Sequence, residues 1–132
     1  MFLNQLSQQG KKMFLNLSVH VAKADDVLEA KEKELISAYC NEMQIPTVEL
    51  FDVIPMNKII GYFSKSEMHI KKIVLLEILG LAYVDGVYSE AETKLIKEFV
   101  EKIGISKTDY QKLNKLIGKY YSMCKDLFEA VQ

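Results

Sequence analysis

Apolar residues recur along this chain at helical spacing, and the alternation of apolar and polar residues that marks a strand is nearly absent. We therefore expect an all-α protein, a compact bundle of about six to seven helices. The helices predicted from the pattern cover about residues 9–23, 29–43, 56–63, 65–84, 89–103 and 106–129.

Capping signals at several boundaries support these helices. Ser64-x-x-Glu67 and Ser89-x-x-Glu92 match the capping box, in which a serine and a glutamate satisfy free N–H groups at a helix start. They predict the beginnings of the fourth and fifth helices. Gly104 stands where a left-handed C-terminal cap of the fifth helix is expected.

The chain resembles itself when it is shifted by 60 residues. The shift predicts a single domain over residues 1–132 with two helix–turn–helix units, about 13–46 and 73–106, related by a pseudo-two-fold axis. A C-terminal helix follows at about 106–129. The identical pairs are Ala22 and Ala82, Asp25 and Asp85, Val27 and Val87, Glu32 and Glu92, Leu35 and Leu95, Ile36 and Ile96, and Ile45 and Ile105.

Composition and charge narrow the class of protein. With 132 residues and 49% hydrophobic content the chain can bury one sizeable core. A formal net charge of -1 gives no overall field that would attract nucleic acid or anionic lipid. The longest apolar stretch, residues 73–84, is interrupted by Glu77 and is too short to span a bilayer, so no membrane insertion is expected. Cys40 and Cys124 are expected to be free thiols in a reducing cytoplasm.

The segment LAYVDGVYSEAETKLI, residues 81–96, partly matches a calcium-binding EF-hand loop. Asp85, Gly86 and Glu92 fall at the fifth, sixth and twelfth positions of that motif. Its first and third positions, which need oxygen ligands, are held by Leu81 and Tyr83. An ordinary EF-hand is therefore excluded, and a helix, an acidic turn and a second helix remain.

Two such acidic turns together could hold one metal ion. A hard cation such as Ca²⁺ or Mg²⁺ requires six or more oxygen ligands, which one aspartate and one glutamate cannot supply. If the two units pack about a pseudo-dyad, Asp25, Glu32, Asp85 and Glu92 converge into a candidate divalent-cation site. The competing interpretation is purely structural, because acidic residues in the first turn of a helix complement its dipole and Asp85-Gly86 is a good turn sequence.

The segments VAKADDVLEAKEKELI, residues 21–36, and LAYVDGVYSEAETKLI resemble the repeated A-D-G-x-x-x-x-x-E signature of the TerB-like, or tellurite-resistance B, family. The resemblance covers about residues 13–106, with Asp26 at the glycine position of the first turn. It implies a cytoplasmic helical bundle with a role in tellurite and chemical-stress response. It also implies a divalent-cation site formed by Asp25, Glu32, Asp85 and Glu92.

The sequence favours neither catalysis nor nucleic-acid binding. No nucleophile–base arrangement or phosphate loop is present, so we do not expect an enzyme. Lys112, Lys115 and Lys119 recur at helical spacing near tyrosines, which could form a phosphate or RNA face, but a solvated helix surface is the favoured interpretation and no nucleic-acid partner is expected. Glu77 stands where the first unit has Leu17 and is predicted to be a paired or interfacial carboxylate.

The leading hypothesis is a TerB-like stress-response module that binds a divalent cation and a protein partner whose identity the sequence leaves open. The alternative is a metal-independent helical module for protein–protein interaction, with purely structural acidic turns. The sequence leaves the oligomeric state open.

Overall fold

The computed structural model describes residues 1–24, 30–45, 53–84 and 89–132. Within these ranges the chain forms one short 3-10 helix and six α-helices, and it contains no strand. The prediction of an all-α, multi-helix bundle is confirmed. After the 3-10 helix Leu3–Gln5, the α-helices are α1 Gln8–Ala22, α2 Ala30–Met43, α3 Met56–Ser64, α4 Met68–Tyr83, α5 Glu90–Ile103 and α6 Lys107–Ala130.

Serine side chains cap three of the helices. Ser89 Oγ accepts a hydrogen bond from the backbone N–H of Glu92 at 3.3 Å, which confirms the predicted start of α5. Ser106 caps α6 in the same way. Ser7 Oγ accepts from the N–H of Gly10 at 3.1 Å and caps α1, a cap that the sequence pattern did not reveal.

The predicted capping box at Ser64 and Glu67 is wrong. Ser64 Oγ donates to the carbonyl of Gly61 at 3.0 Å, so the hydroxyl serves the last turn of α3. Helix α4 begins at Met68, with Glu67 in extended conformation as its N-cap and no side-chain bond there. The helix therefore starts three residues later than the predicted residue 65.

Helices α1 and α4 form the centre of the bundle. They pack against each other, and each also packs against α2, α3 and α5, while α6 lies along α4. Buried side chains from all six helices join into one hydrophobic cluster. Phe14, Leu17, Val74 and Leu79 of the two central helices are fully buried, which identifies α1 and α4 as the elements that the others cover.

The two helix pairs are spaced as the expected duplication requires. Helix α4 starts 60 residues after α1, and α5 starts 60 residues after α2. Both α2 and α5 end in a left-handed residue, Gln44 with φ 58° and Gly104 with φ 86°. Ile45 and Ile105 then donate their N–H groups to the carbonyl five residues earlier, at 2.9 and 3.1 Å. Equal spacing does not establish that the units superimpose, so the duplication stays a prediction.

The sequence predicts no membrane insertion and two cysteines without a disulfide. Across the described ranges, none of the helices combines the length and the apolar character needed to cross a membrane. Neither cysteine of the described residues forms a disulfide, and Cys40 is buried whereas Cys124 is exposed.

Candidate functional site: the acidic helix starts

Two of the four predicted ligands lie at matching places in the bundle. Glu32 is the third residue of α2, and Glu92 is the third residue of α5. Only 1% of Glu32 and 3% of Glu92 is exposed, although glutamate is one of the residues least often buried. Each begins the buried face of its helix, which continues through Ile36 in α2 and Ile96 in α5.

The burial of these carboxylates needs a compensating interaction. An ionised carboxylate removed from water is strongly destabilised unless hydrogen bonds, an opposite charge or a metal ion replaces its hydration. The first turn of a helix favours a carboxylate, because it offers free N–H groups and the positive end of the helix dipole. A carboxylate that faces solvent needs no such compensation, and the exposed Glu90 in the same turn of α5 is an example.

The two predicted aspartate ligands, Asp25 and Asp85, lie outside the described residues, and so does the expectation that they share one side of the bundle. In the part of the chain that the structure describes, no group of three or more histidine, cysteine, aspartate or glutamate side chains is arranged to hold a metal ion. The structure thus describes one glutamate from each unit, at equivalent helix positions, and no complete set of ligands.

The helices that lead into the acidic segments begin at the same end of the bundle. Just before α1, Gln5 Oε1 lies 2.9 Å from Nε2 of His69, the second residue of α4. Ser7, the N-cap of α1, lies within 3.1 Å of the hydroxyl of Tyr62 near the end of α3, which leads into α4. Helices α1 and α4 also have nearly equal lengths of 15 and 16 residues.

A second cluster of charged groups is formed by Glu77, Glu42 and the α-amino group of Met1. Its Oε1 is 2.9 Å from the α-amino group of Met1 and accepts a hydrogen bond from the N–H of Phe2 at 3.0 Å. Glu42 of α2 accepts from the same amino group at 3.2 Å and from the N–H of Leu3 at 3.0 Å. The expectation that Glu77 is a paired carboxylate is confirmed, and we call this arrangement the N-terminal clasp.

The clasp alters the protonation of the groups around it. Partial burial lowers the pKa of the Met1 amine, but hydrogen bonds and charge from Glu77 and Glu42 outweigh it, so the pKa lies above the ordinary 8.0. Burial raises the pKa of Tyr39 well above 10.0, and its hydroxyl donates to the carbonyl of Glu77 at 2.7 Å. Burial likewise raises the pKa of Tyr121 to about 12. These tyrosines are therefore neutral, structural side chains at physiological pH.

The lysine face of α6 does not have the tyrosine platform that an RNA-binding surface would use. Lys112, Lys115 and Lys119 are exposed, but Tyr110 is only 8% exposed and packs in the core. Tyr121 is half-buried beside Gly80. Tyr120 is the exposed member of the three, so successive bases would find one ring at this surface.

No protein-family model, curated protein or solved structure matches this chain. The resemblance to the TerB-like family therefore rests on the two repeated segments alone.

Proposed function

We propose that this protein is a cytoplasmic helical module that binds one divalent cation between its two acidic turns and presents a protein-binding surface that responds to that ion. Its four protein ligands are Asp25 and Glu32 from the first turn and Asp85 and Glu92 from the second. The repeated motif supports a place in stress response of the tellurite-resistance type. No part of the proposal requires catalysis.

The burial of Glu32 and Glu92 is the observation that carries the proposal. Two carboxylates that are 1% and 3% exposed occupy the same position in two helices, and a cation would compensate both charges at once. A pair of merely capping glutamates gains nothing from burial, since exposed carboxylates complement the helix dipole at no desolvation cost.

The arrangement of the central helices supports a shared site. Helices α1 and α4 pack together, begin at the same end of the bundle and have nearly equal lengths. If the two helices run parallel along their whole length, they would also end near one another, and the starts of α2 and α5 would face a common space. Glu32 and Glu92 would enter that space with carboxylate oxygens, the ligand type that Ca²⁺ and Mg²⁺ prefer.

A bound cation would neutralise the buried carboxylates and join the two helix pairs through one centre. Without it, repulsion between the two turns favours their separation. Occupancy would therefore change the relative positions of α2 and α5 and so the surface that a protein partner meets. One specific observation supports the metal-independent alternative: Ser89 Oγ caps the backbone N–H of Glu92, an interaction that stabilises the start of α5 without a metal ion.

Thermal unfolding with added calcium, magnesium or manganese, or with a chelator, distinguishes the two functions. An ion that binds only the folded state stabilises it by RT ln(1 + [L]/Kd), about 2.7 kcal/mol at a hundredfold excess over Kd. The proposal predicts a rise in the Tm of the wild type with at least one of these ions. Glu32→Gln and Glu92→Gln should each abolish most of that rise, since each keeps the shape of the side chain and removes its charge.

Exposed glutamates in the same two helices provide matched controls. Glu90→Gln and Glu34→Gln remove one charge from α5 and α2 without touching a buried carboxylate, and they should leave the rise in Tm intact. A wild-type Tm that no cation changes at millimolar concentration would rule out the cation site and establish the acidic turns as caps.

A further inference from the structure

Helix α6 is covered by the bundle along only part of its length. Tyr110 and Ile117 are buried against the other helices, but every residue from 122 to 132 is exposed. This exposed half is apolar for a solvated helix: Met123 is 62% exposed, Leu127 60% and Phe128 67%. Exposed apolar patches of this kind mark interaction sites on soluble proteins.

Six apolar residues of α6 repeat at the spacing of a coiled coil. Successive steps of 3, 4, 3, 4 and 3 residues are the heptad pattern that places side chains on one seam between two helices. Four of the six positions are large side chains with between 42% and 62% of their surface exposed. We call these residues the α6 seam: Leu113, Leu116, Tyr120, Met123, Leu127 and Ala130.

We propose that the α6 seam is the interface of a homodimer, in which α6 helices from two copies of this chain pack antiparallel. In this register Leu116 meets Leu127 of the second copy, and Tyr120 meets Met123. Each of these layers occurs twice because the arrangement has two-fold symmetry. The exposed C-terminal half of each α6 then lies beside the N-terminal half of the other α6, which packs against its own bundle. This interface is independent of the proposed cation site.

Charges beside the seam select a second copy and the antiparallel direction. Lys119 and Asp126 are exposed on the same flank of the seam, seven residues apart. In the antiparallel register each Lys119 lies opposite Asp126 of the other copy, which gives two opposite-charge pairs from a single helix sequence. A parallel pair would instead place Lys119 beside Cys124 and Asp126 beside Val131, with no charge pair.

The amount of surface fits a dimer of modest strength. Four large seam side chains per copy, each contributing roughly 100 Å², together with the flanking residues, come to about 1,000 Å² for the pair, near the lower limit of specific interfaces. The seam also borders α2, because Tyr120 lines a cavity of about 150 Å³ together with Leu35 and Ala38. A second helix on the seam would contact α2 as well, which adds to the buried area.

Sedimentation of the wild type over a wide concentration range tests the interface. The proposal predicts a reversible monomer–dimer equilibrium. Leu127→Glu should raise the dimer Kd by at least about 100-fold, because two glutamates per dimer enter apolar layers. Ser122→Glu adds the same charge to an exposed position off the seam and should change the Kd by less than about threefold. Both sites are exposed in the monomer, and circular dichroism verifies that the variants keep their helices.

The charge pairs are tested by reversal. Lys119→Asp places like charges opposite each other and should weaken the dimer about 3- to 30-fold at low salt, and Asp126→Lys should do the same. Together the two substitutions should restore the wild-type Kd, since the pairs form again with exchanged signs.

Cysteine pairs in a Cys124→Ser background determine the direction. In the antiparallel register, position 116 meets position 127 of the other copy, whereas the two copies of position 116 are separated by 11 residues, about 16 Å. Leu116→Cys and Leu127→Cys proteins should therefore form a disulfide dimer only when they are mixed. Crosslinking of either variant alone would show a parallel pair and overturn the register. A wild type that stays monomeric, or a dimer that Leu127→Glu leaves intact, would overturn the interface.

Discussion

The helix pairs α1–α2 and α4–α5 differ most clearly at one buried position of their central helices. Both pairs are spaced alike, and both bury a glutamate at the third residue of the second helix. At residue 17 the first pair has a fully buried leucine, and 60 residues later the second pair has Glu77, which is 6% exposed. The leucine packs in the core, whereas the glutamate holds the amino group of Met1 and the N–H of Phe2. One exchanged residue thus gives the second pair a polar anchor for the N-terminal segment.

Replacing Leu17 by glutamate, the residue at the equivalent position 77, should have the largest effect on stability. Leu17→Glu places a carboxylate in a fully buried apolar position, and the expected loss is about 4 kcal/mol or more, enough to unfold much of the protein. Urea unfolding followed by circular dichroism measures it. Leu17→Met, which conserves volume, should cost less than about 1.5 kcal/mol. A Leu17→Glu protein of near wild-type stability would mean that position 17 also has access to a polar partner.

Replacing Glu77 by leucine should destabilise the protein much less than Leu17→Glu. Glu77→Leu removes an acceptor from the Met1 amine and the Phe2 N–H but supplies apolar volume in its place, so the expected loss is about 1–2 kcal/mol. Faster hydrogen exchange at Phe2 and Leu3 would report release of the 3-10 helix. The matched control is Glu98→Leu at an exposed position of α5. Unchanged exchange at both amides would show that the clasp does not hold this segment.

The helix ends provide a subtler comparison. Gln44 after α2 adopts a left-handed conformation with φ 58°. Gly104 occupies the equivalent position after α5, with φ 86°. A residue with a Cβ is disfavoured in that conformation, so Gln44→Gly should stabilise the protein by about 1 kcal/mol and Gly104→Gln should destabilise it by a similar amount. Chemical denaturation of the two variants measures both changes. Changes of the same sign would contradict the equivalence of the two helix ends.

The clasp should also give a small dependence of stability on pH. The pKa of the Met1 amine is raised in the folded protein, so its contribution is complete below pH 8.0 and is lost as the pH rises through the higher folded value. The Tm of protein beginning with a free Met1 should therefore fall slightly as the pH rises from 8.0 toward 10.0, and less so in Glu77→Leu. Tyr39 and Tyr121 contribute a similar loss only above pH 10.0, outside that window. Equal profiles for both proteins would argue against the ion pair.

The helices could be predicted from the sequence because their signals are local. Helical spacing of apolar residues, together with Ser89 and Gly104 at the boundaries of α5, predicted α5 within one residue at its start and α6 within one residue at each end. Ser64 misled the prediction for α4, because a hydroxyl at a helix end can serve the preceding turn as well as the following one.

The features that the sequence did not predict depend on contacts between distant residues. The 3-10 helix Leu3–Gln5 is too short for a periodic signal, and it is held by Glu42 and Glu77. Glu77 was predicted to be a paired or interfacial carboxylate, but its partner, the amino group of Met1, was not predicted. At the candidate site, the matched spacing of Glu32 and Glu92 pointed to equivalent positions, whereas their burial depends on the packing of α2 and α5 against the central helices.

The number of calcium ions bound per chain tests the shared cation site most directly. Calorimetric titration of chelator-treated wild type should show one ion per chain, because both turns contribute to a single site. Glu32→Gln and Glu92→Gln should each remove that binding, although the residues lie in different helix pairs, and the same titration with magnesium or manganese applies if calcium is not the ion that raises the Tm. Two ions per chain, with each substitution removing one, would contradict the shared site, and no binding of any of the three ions would contradict the cation site itself.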